Sequence, residues 1–218
     1  MGKLQDIFES NNGRLIHKWM HYFDIYERHF ERFIGKEINI LEIGVSHGGS
    51  LQMWKDYFGD KATIYGIDVE PACKSFEGDQ IKIIIGDQGN RDFWKTIKPS
   101  LPKFDIIIDD GGHHMSQQKV TFEEMYPELS PHGVYLIEDL HTSYWEEYGG
   151  GHGVPNNFIE YSKKMIDDLN AWYSREPQFS VNEFTTSVWS ISYYDSILVI
   201  EKRPKEQPSS KMTGTPSW

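Results

Sequence analysis

Apolar runs of strand length alternate with longer amphipathic stretches through most of the chain, the pattern of parallel strands joined by crossover helices. Residues 38–45, 63–69, 82–86, 104–109 and 133–138 read as strands. Between them, 50–58, 91–101 and 116–129 carry helical periodicity, and 156–173 predicts a longer helix with Asn156 or Asn157 as its cap. Ahead of the first strand, 15–33 reads as an aromatic-rich helix with Tyr22 and Tyr26 on one face, both expected in the core. Near the end, 185–193 and 196–202 are separated only by Tyr194-Asp195, which predicts an antiparallel hairpin and leaves no room for a helix. The expected fold is α/β: a mostly parallel seven-stranded sheet with helices on both faces, closed by that hairpin. The organisation expected is a helical segment over 1–36, the α/β domain over 37–203, and a mobile tail over 204–218, rich in Pro, Ser, Thr and Lys.

Composition narrows the partners. At 218 residues and 38% hydrophobic, the chain suits one full-sized core. A formal charge of −11 argues against a phosphate backbone as substrate, since such affinity rests on Lys and Arg. Cys73 is alone, which excludes an internal disulfide and a thiolate zinc site. No apolar run is long enough to span a membrane and no secretory signal is visible, so the cytoplasm is the expected compartment.

Candidate chemistry sits at the strand ends, where open α/β sheets bind their ligands. Leu41-Glu42-Ile43-Gly44-Val45-Ser46-His47-Gly48-Gly49-Ser50 follows the first strand and opens a helix. Gly44 lets the chain turn, Gly48 and Gly49 admit a close ligand, and the helix start offers free N–H groups to an anion. Alone, such a turn reads equally well as a ligand-free connection. Asp68, ending the second strand, is placed to accept from both hydroxyls of a ribose, and Asp87 with Gln88, ending the third, to meet an adenine. Ser46 stands where a dinucleotide fingerprint needs its second glycine, which weakens pyrophosphate binding; the Glu42-x-Gly44-x-x-x-Gly48-x-Ser50 arrangement instead resembles the first motif of class I methyltransferases, which implies S-adenosylmethionine as cofactor. Glu42, Gly44, Ser46, Gly48, Ser50, Asp68, Asp87, Gln88 and Asp109 form the expected cofactor set.

A second cluster lies in Asp109-Asp110-Gly111-Gly112-His113-His114 and in Glu138-Asp139 one strand later. Carboxylates so crowded repel one another unless a cation, a proton or a basic group compensates. Oxygen donors without Cys suit Mg²⁺, with Asp110, Glu138 and Asp139 as ligands and His113 as the base that takes a proton from a coordinated hydroxyl. The alternatives are a helix-cap role for any one of these acids, and His113 and His114 as direct ligands.

DDGGHH, LSPHGVYLIEDLHTSYW, YERHF and LEIGVSHGGSLQMW together resemble the macrocin and mycinamicin group of sugar O-methyltransferases, over most of the chain to about residue 150. The resemblance implies a Rossmann-like class I methyltransferase fold, magnesium held by Asp110, Glu138 and Asp139, and His113 as base. Gly112 stands where that group often has Ser, and the large N-terminal domain of some members is not expected in a chain of this length. The function expected is Mg²⁺-dependent methyl transfer from S-adenosylmethionine to a hydroxyl on a deoxysugar of a glycosylated natural product or nucleotide, the antibiotic-biosynthesis type. A catechol-like phenol as acceptor and a non-catalytic cofactor-binding scaffold are the alternatives. The expected partner is a small glycosylated acceptor, with a homo-oligomer left open. Tyr144, Trp145 and Tyr148 offer stacking surfaces to it, and Gly149 to Gly153 reads either as a lid hinge or as a plain connection. His17, His21 and His29 read as surface or packing residues, Lys163-Lys164 and Asp167-Asp168 as a solvated helix face, and Trp172, Trp189 and Tyr193 as core or interface.

Overall fold

The computed structural model describes residues 2–218. Its centre is a seven-stranded sheet in the order β3-β2-β1-β4-β5-β7-β6. The strands are β1 (Ile38–Ile43), β2 (Ala62–Asp68), β3 (Ile81–Ile85), β4 (Phe104–Asp109), β5 (Leu129–Ile137), β6 (Val188–Tyr194) and β7 (Ile197–Lys202). The first five run parallel, and β7 enters antiparallel between β5 and β6. This is the sheet expected of a Rossmann-like methyltransferase fold, hairpin included.

Both faces of the sheet are covered, so the central strands are apolar on both sides. On one face Ile40, Ile106, Ile108, Leu136 and Val199 meet α2 (Tyr22–Phe30) and α3 (Gly49–Phe58), with α1 (Lys3–Glu9) on the outside. Tyr26 stands edge-on to Trp54, 5.2 Å between ring centres, as an offset aromatic pair prefers. On the other face Leu41, Ile107, Tyr135, Ile137 and Leu198 meet α5 (Met115–Met125) and α6 (Phe158–Asn170). The remaining helices are α4 (Arg91–Ile97), capped by the Asn90 side chain, and α7 (Glu183–Ser187).

Four expectations need correction. Residues 15–33 do not form one helix: only Tyr22–Phe30 is α-helical, and 15–19 are irregular because they lie across the strand ends. The hairpin's first strand begins at Val188, because Asn182 caps a short helix over Glu183–Ser187 where a strand was expected from Thr185. The helices expected over 91–101 and 116–129 end early, in 3-10 turns holding Pro99 and Pro127, residues that have no N–H to extend an α-helix. Finally, β5 starts at Leu129 rather than at Gly133.

The segment after Pro204 forms no helix or strand, and Met212 and Trp218 stand fully in solvent. Among the described residues no helix is long and apolar enough to cross a membrane.

Candidate active site

At the carboxyl ends of β1, β2 and β4 the chain must turn three times in a small space, and the sequence supplies the means. Gly44 takes φ +92°, and a Cβ on it would come within 1.9 Å of the Asp110 carbonyl oxygen, so the first loop and the end of β4 lie backbone against backbone. Gly49 also permits a close approach. Its bare Cα lets the Arg14 and Leu15 carbonyls come near, which lays residues 15–19 over the start of α3.

The result is a cleft of about 410 Å³ lined by Gly44, Ser46, Ser50, Asp68, Asp87 and Gln88 at one end and by Asp110, His113, Glu138 and Asp139 at the other. Residues 15–19 form one wall. Asp68 shapes the glycine loop directly, its Oδ2 accepting from the Val45 and Ser46 amides at 2.8 and 2.9 Å. Asp87 Oδ1 accepts from the Gly89 amide at 2.7 Å.

Three members of the expected cofactor set stand outside the lining. Glu42 is fully buried beneath the loop, where its Oε2 accepts from Ser50 Oγ at 2.8 Å; burial pushes its carboxyl up to about 7 despite the nearby Lys18. Gly48 caps α3 in the left-handed conformation against the Phe76 ring. Asp109 is buried under the floor and accepts from Gln88 Nε2 at 2.9 Å, and burial raises it to about 7. Gln88 also reaches Thr121 Oγ1, while its Oε1 accepts from the Gly112 amide, so it ties the third and fourth strand ends together.

At the other end, ligand atoms of Asp110, His113 and Asp139 lie within 4.8 Å of one another. His113 Nε2 is 3.7 Å from Asp110 Oδ1 and 3.5 Å from Asp139 Oδ2. Both His113 and Asp139 hold left-handed backbones, φ +55° each. Thr142 Oγ1 donates to Asp139 O at 2.8 Å and lies 3.2 Å from His113 O, which braces this pair of strained residues. Burial lowers the His113 imidazole below its ordinary value, although Asp110 and Asp139 pull the other way, so the ring favours its neutral, proton-accepting form. Its Nδ1 is buried without a partner. Two carboxylates and an imidazole fit a hard divalent ion.

Sequence reasoning missed Lys18. Its ammonium is buried and lies 2.5 Å from Asp110 Oδ2 and 2.9 Å from Glu138 Oε2. Burial opposes its charge, but Asp110, Glu138 and Glu42 outweigh that and hold it well above the usual lysine value. Glu138 is thereby engaged on both oxygens, since Tyr26 Oη donates to its Oε1 at 2.7 Å. Burial and the charge of Asp110 push the Glu138 carboxyl well up. Tyr22, expected only as core, donates to Asp139 Oδ1 at 2.6 Å. The one signal in the sequence was the excess of acids itself, which demanded a compensating cation without saying where it came from.

No family model matches the chain. Individual relatives do. The chain is 36% identical over 155 residues to demethylmacrocin O-methyltransferase of Streptomyces fradiae, covering 66% of this chain and 39% of that one. It is 30% identical over 212 residues to mycinamicin VI 2''-O-methyltransferase of Micromonospora griseorubida, covering 92% and 51%. The solved structure of MycE methyltransferase from the mycinamycin biosynthetic pathway, in complex with Mg, SAH and mycinamycin VI, superposes with a TM-score of 0.81 at 27% identity, over 99% of this chain and 55% of that one.

Over most of its length the chain is a relative of the macrocin and mycinamicin group of sugar O-methyltransferases. It spans about half the length of the curated relatives it matches. The residues that carry the resemblance fall into two sets. Gly44 to Ser50 form the glycine loop and the start of α3 at one end of the cleft, and Asp110, His113 and Asp139 converge at the other.

Proposed function

We propose that this chain transfers a methyl group from S-adenosylmethionine to a deoxysugar hydroxyl of a glycosylated natural product, with magnesium held by Asp110 and Asp139 and His113 as the base. What carries the reading is that one cleft joins the glycine loop to the acid and imidazole cluster, so donor and acceptor would meet inside a single cavity. The family supports the acceptor class.

Gly44 to His47 and Asp68 would hold the donor, which supplies an electrophilic methyl group. Asp110 and Asp139 would hold magnesium, which supplies Lewis acidity to the acceptor hydroxyl. His113 Nε2, neutral and facing both carboxylates, takes the hydroxyl proton. The left-handed backbones of His113 and Asp139 keep both side chains aimed at one point, which is the positioning that methyl transfer needs.

The acceptor end carries an aromatic rim. Trp19, about half exposed, stands 6.1 Å from His141, which stands 4.8 Å from Trp145, and Tyr148 follows at 5.8 Å. Such a strip suits the C–H face of a sugar and an apolar aglycone. The Gly149, Gly150 and Gly151 amides donate to the Glu146, Trp145 and Ser143 carbonyls, which supports reading this stretch as a connection rather than a lid hinge.

The test is mass-spectrometric detection of methylated product from S-adenosylmethionine and a panel of deoxysugar glycosides and catechols, with and without EDTA. Methylated glycoside that disappears with EDTA and falls by about 100-fold or more in His113→Ala supports the reading. Methylation of catechols alone would replace it with the phenol reading. Binding of S-adenosylhomocysteine with no transfer to any acceptor would leave a scaffold.

A further inference from the structure

Among the described residues Lys18 is the one buried cation in the cluster, and its surroundings give it two places to go. In the structure its Nζ bridges Asp110 Oδ2 at 2.5 Å and both Glu138 oxygens at 2.9 and 3.0 Å. On its far side, 3.8 Å away, is Glu42 Oε1. That oxygen is buried and no donor is well aligned on it, although the Trp54 side chain helps to hold the Glu42 charge, a costly condition for a carboxylate. The other Glu42 oxygen is held by Ser50 Oγ in the cofactor loop.

Asp110 is therefore claimed twice. Its Oδ2 serves Lys18 while its Oδ1 faces His113 and the convergence point shared with Asp139. A divalent ion and an ammonium drawn to the same carboxylate repel each other strongly in a buried site. Lys18 sits on an irregular segment rather than a helix, so its ammonium can shift without unwinding an element.

We infer that Lys18 is an internal competitor for the divalent ion, a positioning residue whose ammonium holds Asp110 and Glu138 in the ion-free protein and moves to the unpartnered Glu42 oxygen when the ion binds. Glu138 is then released from Lys18 and can face the ion. The acids stay neutralised throughout, which is how so many carboxylates are kept folded and pre-aligned without metal. Because Glu42 also holds Ser50, ion binding is felt by the cofactor loop. This inference rests on the divalent-ion site proposed above.

The experiment is a Mn²⁺ titration followed by electron paramagnetic resonance on the full chain at fixed pH, comparing wild type, Lys18→Met, Glu42→Gln and the double variant. Circular dichroism checks that each is folded. Lys18→Met should bind Mn²⁺ at least about tenfold tighter, because a competing charge beside Asp110 is gone. Glu42→Gln should weaken Mn²⁺ binding, and by more in the wild-type background than in Lys18→Met; that difference removes the general field of Glu42 from the comparison. Unchanged or weaker binding in Lys18→Met overturns the inference, as does an equal Glu42→Gln effect in both backgrounds. Should Lys18→Met fail to fold, Lys18→Gln, which keeps a hydrogen-bond donor toward Asp110 and Glu138 without the charge, takes its place in the same comparison with the same outcomes. Failure of every variant, wild type included, to bind Mn²⁺ would overturn the ion site itself, whereas equal binding by all would overturn only the role of Lys18.

Discussion

Gly44→Ala tests whether the cofactor loop and the acid cluster are one mechanical unit. The substitution meets two obstacles. At φ +92° an L side chain is strained, and the added Cβ would fall 1.9 Å from the Asp110 carbonyl oxygen, a backbone atom that cannot swing aside. The dihedral alone costs about 1–2 kcal/mol. Overpacking against backbone adds about 1–3 kcal/mol, for a loss of about 2–5 kcal/mol in all. In a chain of this size each kcal/mol lowers Tm by about 2–4 °C, so thermal unfolding should drop by about 4–20 °C. Gly35 provides the control, since it has φ +72° with nothing within 4 Å of its Cβ position. Gly35→Ala should therefore show only the dihedral cost of about 1–2 kcal/mol. Urea unfolding of both variants measures the difference, and Mn²⁺ titration of Gly44→Ala should show weaker binding because Asp110 is displaced. Equal losses in the two variants would refute the argument that close approach, rather than conformation, fixes glycine at position 44.

Tyr135 is fully buried with its hydroxyl unpartnered, so Tyr135→Phe should leave urea stability unchanged or raise it, and a loss above about 1 kcal/mol would reveal a partner for the hydroxyl. Asn90 accepts from the Asp92 and Phe93 amides at the start of α4; Asn90→Ala should cost about 1 kcal/mol in the same assay. Glu201 is held below its ordinary value first by the hydrogen bond from His29 and then by Arg32. The stability this carboxylate contributes is present above its unfolded value and is lost as pH falls through the folded one. The Tm gap between wild type and Glu201→Gln should thus be full at about pH 6 and shrink below about pH 4, and a constant gap would contradict it. Trp145→Ala should raise KM for a glycoside acceptor by about tenfold or more, with S-adenosylhomocysteine affinity unchanged by calorimetry, if the rim contacts the acceptor.

The strands were legible because their information is local. Phe104–Asp109 reads Phe-Asp-Ile-Ile-Ile-Asp, an apolar run that is stable only between two covered faces, and it forms a strand with the expected bounds. The hairpin followed from the short spacing between its two apolar runs, although the helical turn at Glu183–Ser187 was hidden by the strand-like residues Thr185 and Thr186. Acids at successive strand ends showed that a site exists at that edge, because parallel strands place their carboxyl ends together. Which acids face the cleft was not legible: Asp109 and Asp110 are neighbours, yet one is buried under Gln88 and the other faces the cleft.

Local pattern determined the sheet, helices α3 to α6 and the edge that carries the chemistry. Tertiary structure alone decided how the charge there is balanced. Lys18 lies 92 residues from Asp110 and 120 from Glu138 along the chain, in a stretch whose periodicity reads as helix. Burying several carboxylates at one edge costs more than a turn or two of helix contributes, so the segment gives up its helix and delivers its ammonium across that distance.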